Sequence, residues 1–173
     1  CSNTTGIYNN AMGAWALQKN TTGTHNNAMG ASALRDNTTG THNNAVGASA
    51  LRDNTTGIYN SAIGTLALSS NTTGMGNCAV GYLVLYGLLS GNYNTALGSG
   101  TGAGITTGSY NTILGAQVSG LASDLSNNII LATGAGKTRQ QIDASGVATF
   151  TSTAASSNAV TDVFILSHEY ATA

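Results

Sequence analysis

Apolar residues recur along this chain with a fixed step of 17 residues, and they form three columns. The Met12 column is always apolar but changes shape: Met12, Met29, Val46, Ile63, Val80, Leu97 and Leu114. The Leu17 column comprises Leu17, Leu34, Leu51, Leu68 and Leu85, and the Ala11 column comprises Ala11, Ala28, Ala45, Ala62, Ala79 and Ala96. A fixed short period is typical of stacked repeats. The varied shapes in the Met12 column predict that it is a core column.

Asparagines and glycines keep the same step. The Asn9 column comprises Asn9, Asn26, Asn43, Asn60, Asn77, Asn94 and Asn111, and the Gly13 and Gly6 columns run in parallel with it. So many turn-forming residues leave no room for a useful helix in each unit. They suit short strands and tight turns, where Gly supplies positive φ and Asn tolerates it. The sequence therefore predicts an all-β fold, a parallel β-solenoid or β-roll with 17-residue coils.

Stacked coils bring equivalent side chains together at about 4.8 Å, so seven coils would rise roughly 34 Å. At that spacing the Asn9 column predicts a ladder in which each amide donates to one neighbour and accepts from the other. The core of one coil is thin. Two separate apolar columns therefore suggest two buried faces, one inside the coil and one against a partner. Cyclic homo-oligomers are the usual solution.

Charge is scarce along the 173-residue chain: 6% of residues are charged, against about 25% in a typical domain. Five basic residues without a cluster argue against nucleic-acid binding. No apolar run approaches the roughly 20 residues of a membrane span, so membrane insertion is not expected.

Cys1 and Cys78 give no disulfide framework. Because Cys1 falls inside a repeat, the chain is expected to be a fragment of a longer protein.

The repeat changes toward the C-terminus. Leu88–Ser90 replaces Asn-Thr-Thr, which suggests a narrower shaft or tighter contact between chains. The phase extends to Asn128, with Ile130 expected at the Met12 position, and is lost from Lys137 onward. We therefore predict a repeat shaft over 1–132 and a β-rich connector over 133–173 that leads to a further module. Within the connector, 141–150 predicts strand, turn and strand, and 160–168 predicts another strand.

Several motifs could carry chemistry. Residues 131–138 are similar to a phosphate-binding loop, but Leu131 occupies the first glycine position and no helix pattern follows, which favours a simple turn.

His25 and His42 share a column and could bind metal, although a surface ladder is favoured. Arg35-Asp36 and Arg52-Asp53 predict a solvated ionic ladder. With no carboxylate pair and no Ser/His/Asp set, we expect no enzyme, metal or cofactor.

Five Asn-Thr-Thr sequons begin at Asn3, Asn20, Asn37, Asn54 and Asn71. They would accept glycans in a eukaryotic secreted protein, and otherwise they are turn chemistry, which we favour. The paired threonines also suggest an ice-binding solenoid. Against this, each pair precedes Gly at an apparent turn and is not set in a flat strand.

The unit from Asn20 to Leu34 resembles the repeats of phage tail-fibre shafts, and it is similar to the head repeats of trimeric autotransporter adhesins. The resemblance covers residues 1 to about 132 and implies a homotrimer of β-rolls or β-helices. The adhesin core Ser-Val-Ala-Ile-Gly differs from Asn-Asn-Ala-Met-Gly at 26–30. This difference favours the phage fibre.

The expected function is therefore a structural fibre shaft in a virion that attaches to a host surface. A bacterial or archaeal surface adhesin or extracellular filament is the alternative, and an ice-binding solenoid is less favoured. The expected partners are two further copies of the chain and a host glycan or protein. Candidate receptor contacts are Tyr8, His25, His42, Tyr59, Tyr93 and Tyr110, which could instead line the trimer interface.

Overall fold

The chain is a β-solenoid in a computed structural model that describes residues 3–133 and 138–150. Its ten strands form one sheet in the order of the sequence. The strands are β1 (Asn10–Met12), β2 (Asn27–Met29), β3 (Asn44–Val46), β4 (Ser61–Ile63), β5 (Cys78–Val80), β6 (Thr95–Leu97), β7 (Thr112–Leu114), β8 (Ile129–Ala132), β9 (Thr138–Ile142) and β10 (Ala148–Phe150). The all-β prediction is confirmed. Cys1 and the strand predicted at 160–168 lie outside the described residues.

Strands β1 to β8 are parallel, and each pairs with its neighbour at a separation of 17 residues. This register confirms one coil per repeat. It also corrects one expectation, because Ile130 pairs with Ile113 whereas Leu131 pairs with Leu114. Leu131 therefore continues the Met12 column and Ile130 continues the Ala11 column. A shift of one residue matters because it moves a side chain to the other face of the strand.

The core lies inside the coils. The Leu17 column is buried throughout, and the Ala11 column is buried from Ala28 to Ala96. A further buried column, which the sequence did not single out, comprises Ala16, Ala33, Ala50, Ala67, Val84 and Val118. Alanine at two of the three inward positions shows that opposite walls of the coil lie close together, so Leu17 and its equivalents fill the remaining space.

The Met12 column points outward, so the prediction that it is a core column is wrong for the single chain. Met12 is 59% exposed and Leu97 is 51% exposed, whereas Val46 and Val80 are half-buried. The physical reason is the pleat of each three-residue strand. Successive side chains alternate between faces, so an inward alanine at the centre turns both flanking residues outward.

The turns use left-handed backbone at three positions per coil. The Tyr8 column, the residues equivalent to Trp15 and the Leu17 column adopt φ between 47° and 61° wherever they are not glycine. We expected Gly to supply positive φ and Asn to tolerate it. The Gly13 column and Asn127 have positive φ, whereas the Gly6 and Asn9 columns do not. Burial offsets the strain of left-handed leucine: Leu51 is 0% exposed, and its N–H donates to Ala67 O at 3.0 Å.

In the later coils apolar side chains replace a buried asparagine. Leu88 and Ile105 replace the first asparagine of the unit, and both are fully buried in the core of their own chain. These two side chains are therefore not available for contact between chains. Leu89, which replaces the following threonine, is in contrast 45% exposed.

An antiparallel hairpin ends the described part of the solenoid. Strand β9 pairs with β8, and β10 pairs with β9. The strand, turn and strand predicted at 141–150 are present, with Gly146 N–H donating to Asp143 O at 2.9 Å across the turn. Gln141 Nε2 donates to Asn128 Oδ1 at 2.9 Å, which provides a donor for the last amide of the parallel coils.

Candidate functional site: the aromatic column

One surface column carries most of the exposed aromatic side chains of the solenoid. This Tyr8 column comprises Tyr8, His25, His42, Tyr59, Gly76, Tyr93, Tyr110 and Asn127. All six candidate receptor contacts belong to it and all six are exposed. The fold places them there because each directly precedes a residue of the Asn9 column, whose inward side chain fixes the backbone of the turn.

The rings of the Tyr8 column stack along the rod in two groups. Ring centroids are 4.8 Å apart for Tyr8 and His25, 4.7 Å for His25 and His42, and 5.0 Å for His42 and Tyr59. The second group is Tyr93 and Tyr110, with centroids 5.3 Å apart. These distances match the rise between coils, and they fall in the range for favourable aromatic pairs.

Gly76 separates the two stacks. The Tyr93 ring leans over this glycine: a Cβ placed on Gly76 would lie 2.6 Å from Tyr93 Cδ1 and 2.8 Å from Tyr93 Cε1. The Tyr93 hydroxyl donates to Met75 Sδ at 3.5 Å. The column is therefore a pair of ring stacks interrupted at Gly76, where the Tyr93 ring occupies the space of the missing side chain. The sequence showed the missing ring, but it could not show where the Tyr93 ring would go.

The Asn9 column supports the Tyr8 column from inside the coil. Asn43 Nδ2 donates to Asn26 Oδ1 at 3.2 Å and to Gly57 O at 2.8 Å, and Asn43 N–H donates to the same Asn26 oxygen at 3.0 Å. The pattern repeats in later coils, so these hydrogen bonds form the ladder that the sequence predicts. Each amide thus connects the preceding coil to the following one.

The structure contains a second amide ladder, which was not predicted from the sequence. It runs through the Asn3 column, which comprises Asn3, Asn20, Asn37, Asn54 and Asn71. Asn37 Nδ2 donates to Asn20 Oδ1 at 2.7 Å and to Gly40 O at 3.0 Å. The ladder ends where Leu88 takes the next position, and within the described coils the buried Asn71 Oδ1 accepts no hydrogen bond.

These hydrogen bonds determine whether the asparagines of the Asn-Thr-Thr sequons are accessible for glycosylation. Asn20, Asn37, Asn54 and Asn71 are 0 to 1% exposed, and each Nδ2 is already a donor inside the coil. A glycan can be attached at these four nitrogens only when the coil is open. Asn3, in contrast, is exposed.

The paired threonines after these asparagines do not act alike. Thr21 Oγ1 donates to Thr38 O at 3.0 Å, and Thr38 and Thr55 repeat this contact. The first hydroxyl of each pair therefore joins two coils. In the later pairs the first threonine is half-buried and the second, such as Thr39 or Thr56, is exposed, whereas in the first pair both Thr4 and Thr5 are exposed.

The charged side chains of the first three coils form the expected ionic ladder. Arg35 contacts Asp36 at 2.7 Å, Lys19 contacts Asp36 at 2.9 Å, and Arg52 contacts Asp53 at 2.7 Å. Arg35 also lies 3.8 Å from Asp53 in the next coil. The hydrogen bond from Arg35 lowers the pKa of Asp36 to about 2, with help from Lys19 and against partial burial.

This shift predicts a loss of stability in acid. Because the folded pKa of Asp36 lies below its ordinary value of 3.8, its contribution is complete above pH 3.8 and is lost as the pH falls through about 2. We expect about 1 to 2 kcal/mol, allowing for solvent screening. Urea unfolding at pH 5 and pH 2 measures it, and Asp36→Asn should reduce the difference between the two pH values. Asp124→Asn is the control, since this exposed carboxylate has no ion pair among the described residues.

Other candidate chemistry gains no support from the geometry. His25 and His42 stack face to face, and the described residues hold no group of three or more His, Cys, Asp or Glu placed to bind a metal. Residues 134–137 of the phosphate-loop-like segment lie outside the described residues. Among the described residues, no helix is long and apolar enough to cross a membrane.

Comparisons with known protein families, with curated proteins and with solved structures found no match for this chain.

Proposed function

We propose that this chain is the shaft of a trimeric fibre, of the kind that a phage or similar virus carries in its virion to attach to a host surface. Its role is structural, and its partners are two further copies of itself and a host-surface glycan or protein. The observation that carries the proposal is the exposed Met12 column, which extends in register through seven successive coils.

An apolar column of this length needs a cover. Side chains from β1 to β7 stand one above another at about 4.8 Å, so their exposed faces join into a continuous stripe. Contiguous apolar stripes mark interaction surfaces on soluble proteins. Burying one exposed apolar residue per coil in this way would add a favourable term from every coil.

The period of the stripe favours a second copy of the chain as the cover. A partner must present side chains at the same step for them to interlock along the whole length, and an identical solenoid lying parallel does so. Closing such contacts around an axis gives a cyclic oligomer without an open edge, and the trimer is the form proposed. Equivalent coils then meet at equal heights.

Charge distribution agrees with this choice of face. The positions that flank the Met12 column on the outer face of the strands are Asn27, Asn44, Ser61, Cys78 and Thr95, all uncharged. The ionic ladder of Lys19, Arg35 and Asp36 belongs to a different part of the coil. An interface on the Met12 column therefore buries no charge that would need a partner.

Sedimentation equilibrium tests the proposal. The wild-type chain should have a mass of about 52 kDa, three times the 17.3 kDa of the monomer. Ile63→Asp places a charge in the centre of the stripe and should give a monomer of 17.3 kDa with an unchanged β-type circular dichroism spectrum. Thr56→Asp adds the same charge at an exposed position elsewhere on the coil and should leave the mass unchanged.

A wild-type chain that sediments as a monomer at micromolar concentration would overturn the trimer. If Ile63→Asp unfolds, Ile63→Thr keeps the branched shape and should still weaken assembly by about tenfold or more. Equal assembly of the wild-type and Ile63→Thr chains would show that the Met12 column is not the interface.

A further inference from the structure

The interruption between the two ring stacks is bounded by Tyr59, Met75, Gly76, Asn92 and Tyr93, and we call it the Gly76 notch. The Tyr93 ring occupies part of this notch. His42 covers one face of the Tyr59 ring at a centroid distance of 5.0 Å. The next residue of the column, Gly76, has no side chain to cover the other face. Tyr93, one coil further, leans over Gly76 and bounds the notch on its far side.

The turn of the coil does not account for the aromatic side chains of the Tyr8 column. All six aromatic residues of the column hold φ between 54° and 60°, which costs a residue other than Gly or Asn roughly 1 to 2 kcal/mol. Ring stacking returns about 0.5 to 1.5 kcal/mol per pair, so the exposed rings add little net stability. Gly76 and Asn127 adopt the same backbone conformation without that penalty. The aromatic side chains are therefore not required by the turn.

The groups around the notch specify the chemistry of a ligand. Ring faces of Tyr59 and Tyr93 offer flat apolar surfaces. Asn92 Oδ1 accepts the Met75 N–H at 2.9 Å, which places this side-chain amide beside the notch. The notch contains no Asp, Glu, Lys, Arg or His side chain. A fitting ligand is neutral, with an apolar face and hydroxyl groups around its edge.

We propose that the Gly76 notch binds a neutral hexopyranose unit, which stacks on Tyr59 over Gly76 while Tyr93 swings off the glycine to cover it. The axial C–H bonds of a pyranose ring form the apolar face, and its equatorial hydroxyls reach Asn92 and the tyrosine hydroxyls. Tyr93 is half exposed, and moving its ring costs the hydroxyl contact with Met75 Sδ at 3.5 Å and part of the stacking on Tyr110, whose centroid lies 5.3 Å away. The inference relies on the proposed function only for the source of the sugar, a host-surface glycan.

A titration followed by NMR of the tyrosine ring signals tests the site on the full chain. Methyl β-D-glucopyranoside and methyl β-D-galactopyranoside are the probes, and mannitol is the control polyol without a pyranose ring. Saturable shifts of the Tyr59 and Tyr93 signals by at least one glycoside, with millimolar affinity and without a mannitol response, are expected. No saturable shift with either glycoside, or the same shift with mannitol, would overturn the proposal.

Matched variants locate the binding. Gly76→His inserts a ring that this column already accepts at His25 and His42, where φ is 58° and 57° against 66° at Gly76. It should weaken glycoside binding at least about tenfold while the melting temperature stays close to that of the wild-type chain. Asn127→His adds the same ring to the same column at φ 60°, three coils away, and should not change binding.

The variants and the assembly assay separate the two proposals. Unchanged binding in Gly76→His, or an equal loss in Asn127→His, would exclude the notch. A trimer that binds neither glycoside overturns this inference alone, whereas a monomer that binds one overturns the shaft proposal alone. If Gly76→His lowers the melting temperature, Tyr59→Leu replaces it as the test, and it should abolish the saturable shift of Tyr93.

Discussion

Replacing Gly47 by alanine is expected to destabilise the solenoid by about 3 to 5 kcal/mol. Gly47 has a φ of 132°, a conformation that L-residues with a Cβ rarely adopt. The added Cβ would lie 2.6 Å from Gly64 C and 2.7 Å from Gly64 O. These backbone atoms cannot retreat because hydrogen bonds set the distance between coils, as from Gly64 N–H to Val46 O at 2.7 Å.

Gly87→Ala is the control for this prediction. Gly87 has no positive φ, and a Cβ there would meet no atom within 4 Å. We expect a change within about 0.5 kcal/mol. Urea unfolding of both variants at one fixed protein concentration gives the comparison. Similar unfolding midpoints for the Gly47 and Gly87 variants would contradict the close contact between coils at the Gly13 column.

The second large effect is expected from Asn37→Leu, which should cost about 3 kcal/mol. The substitution deprives Asn20 Oδ1 of its donor and removes the acceptor of Asn54 Nδ2. Asn20 is 1% exposed, so water cannot replace the lost donor without opening the coil. An unsatisfied buried acceptor costs more than the net gain from one ordinary hydrogen bond.

Asn71→Leu makes the same chemical change at the end of the same column, and we expect a loss of under about 1 kcal/mol. It removes the donor to Asn54 Oδ1, but it also removes Asn71 Oδ1, which already accepts nothing in the described coils. The number of unsatisfied acceptors stays the same and the amide ladder becomes one coil shorter. Leu88 and Ile105 show that an aliphatic side chain is accommodated at this position. Unfolding midpoints that fall equally for Asn37→Leu and Asn71→Leu would show that these amides do not act as a ladder.

The repeat period was sufficient to predict the coil and its inner columns. Equivalent residues 17 apart pair in every parallel strand, so the Leu17 and Ala11 columns had to stack. The error at the Met12 column came from treating apolar character as burial. The sequence held the correcting signal, because Met29 and Ala28 are neighbours in one short strand and must face opposite ways. Once Ala28 is inside, Met29 is outside.

Other features could not be obtained from the sequence. Left-handed backbone is usual for Gly and Asn, so nothing in the pattern indicated that Leu34, Leu51 or Tyr59 would adopt it. Only the closed coil shows that burial and hydrogen bonds between coils hold these residues there. The aromatic column was recognised as a candidate site, but the Gly76 notch depends on the direction in which the Tyr93 ring leans, and that is decided by packing.

The paired strands also have a genetic consequence. Each coil forms the same hydrogen bonds with the following coil as it does with the preceding one, as the identical registers of β2, β3 and β4 show. Gain or loss of one whole 17-residue unit, encoded by 51 nucleotides, leaves the strand pairing between the remaining coils intact. Slippage of a DNA polymerase on such a gene therefore changes rod length in steps of one coil, whereas an insertion of a single codon would misalign every column at that point.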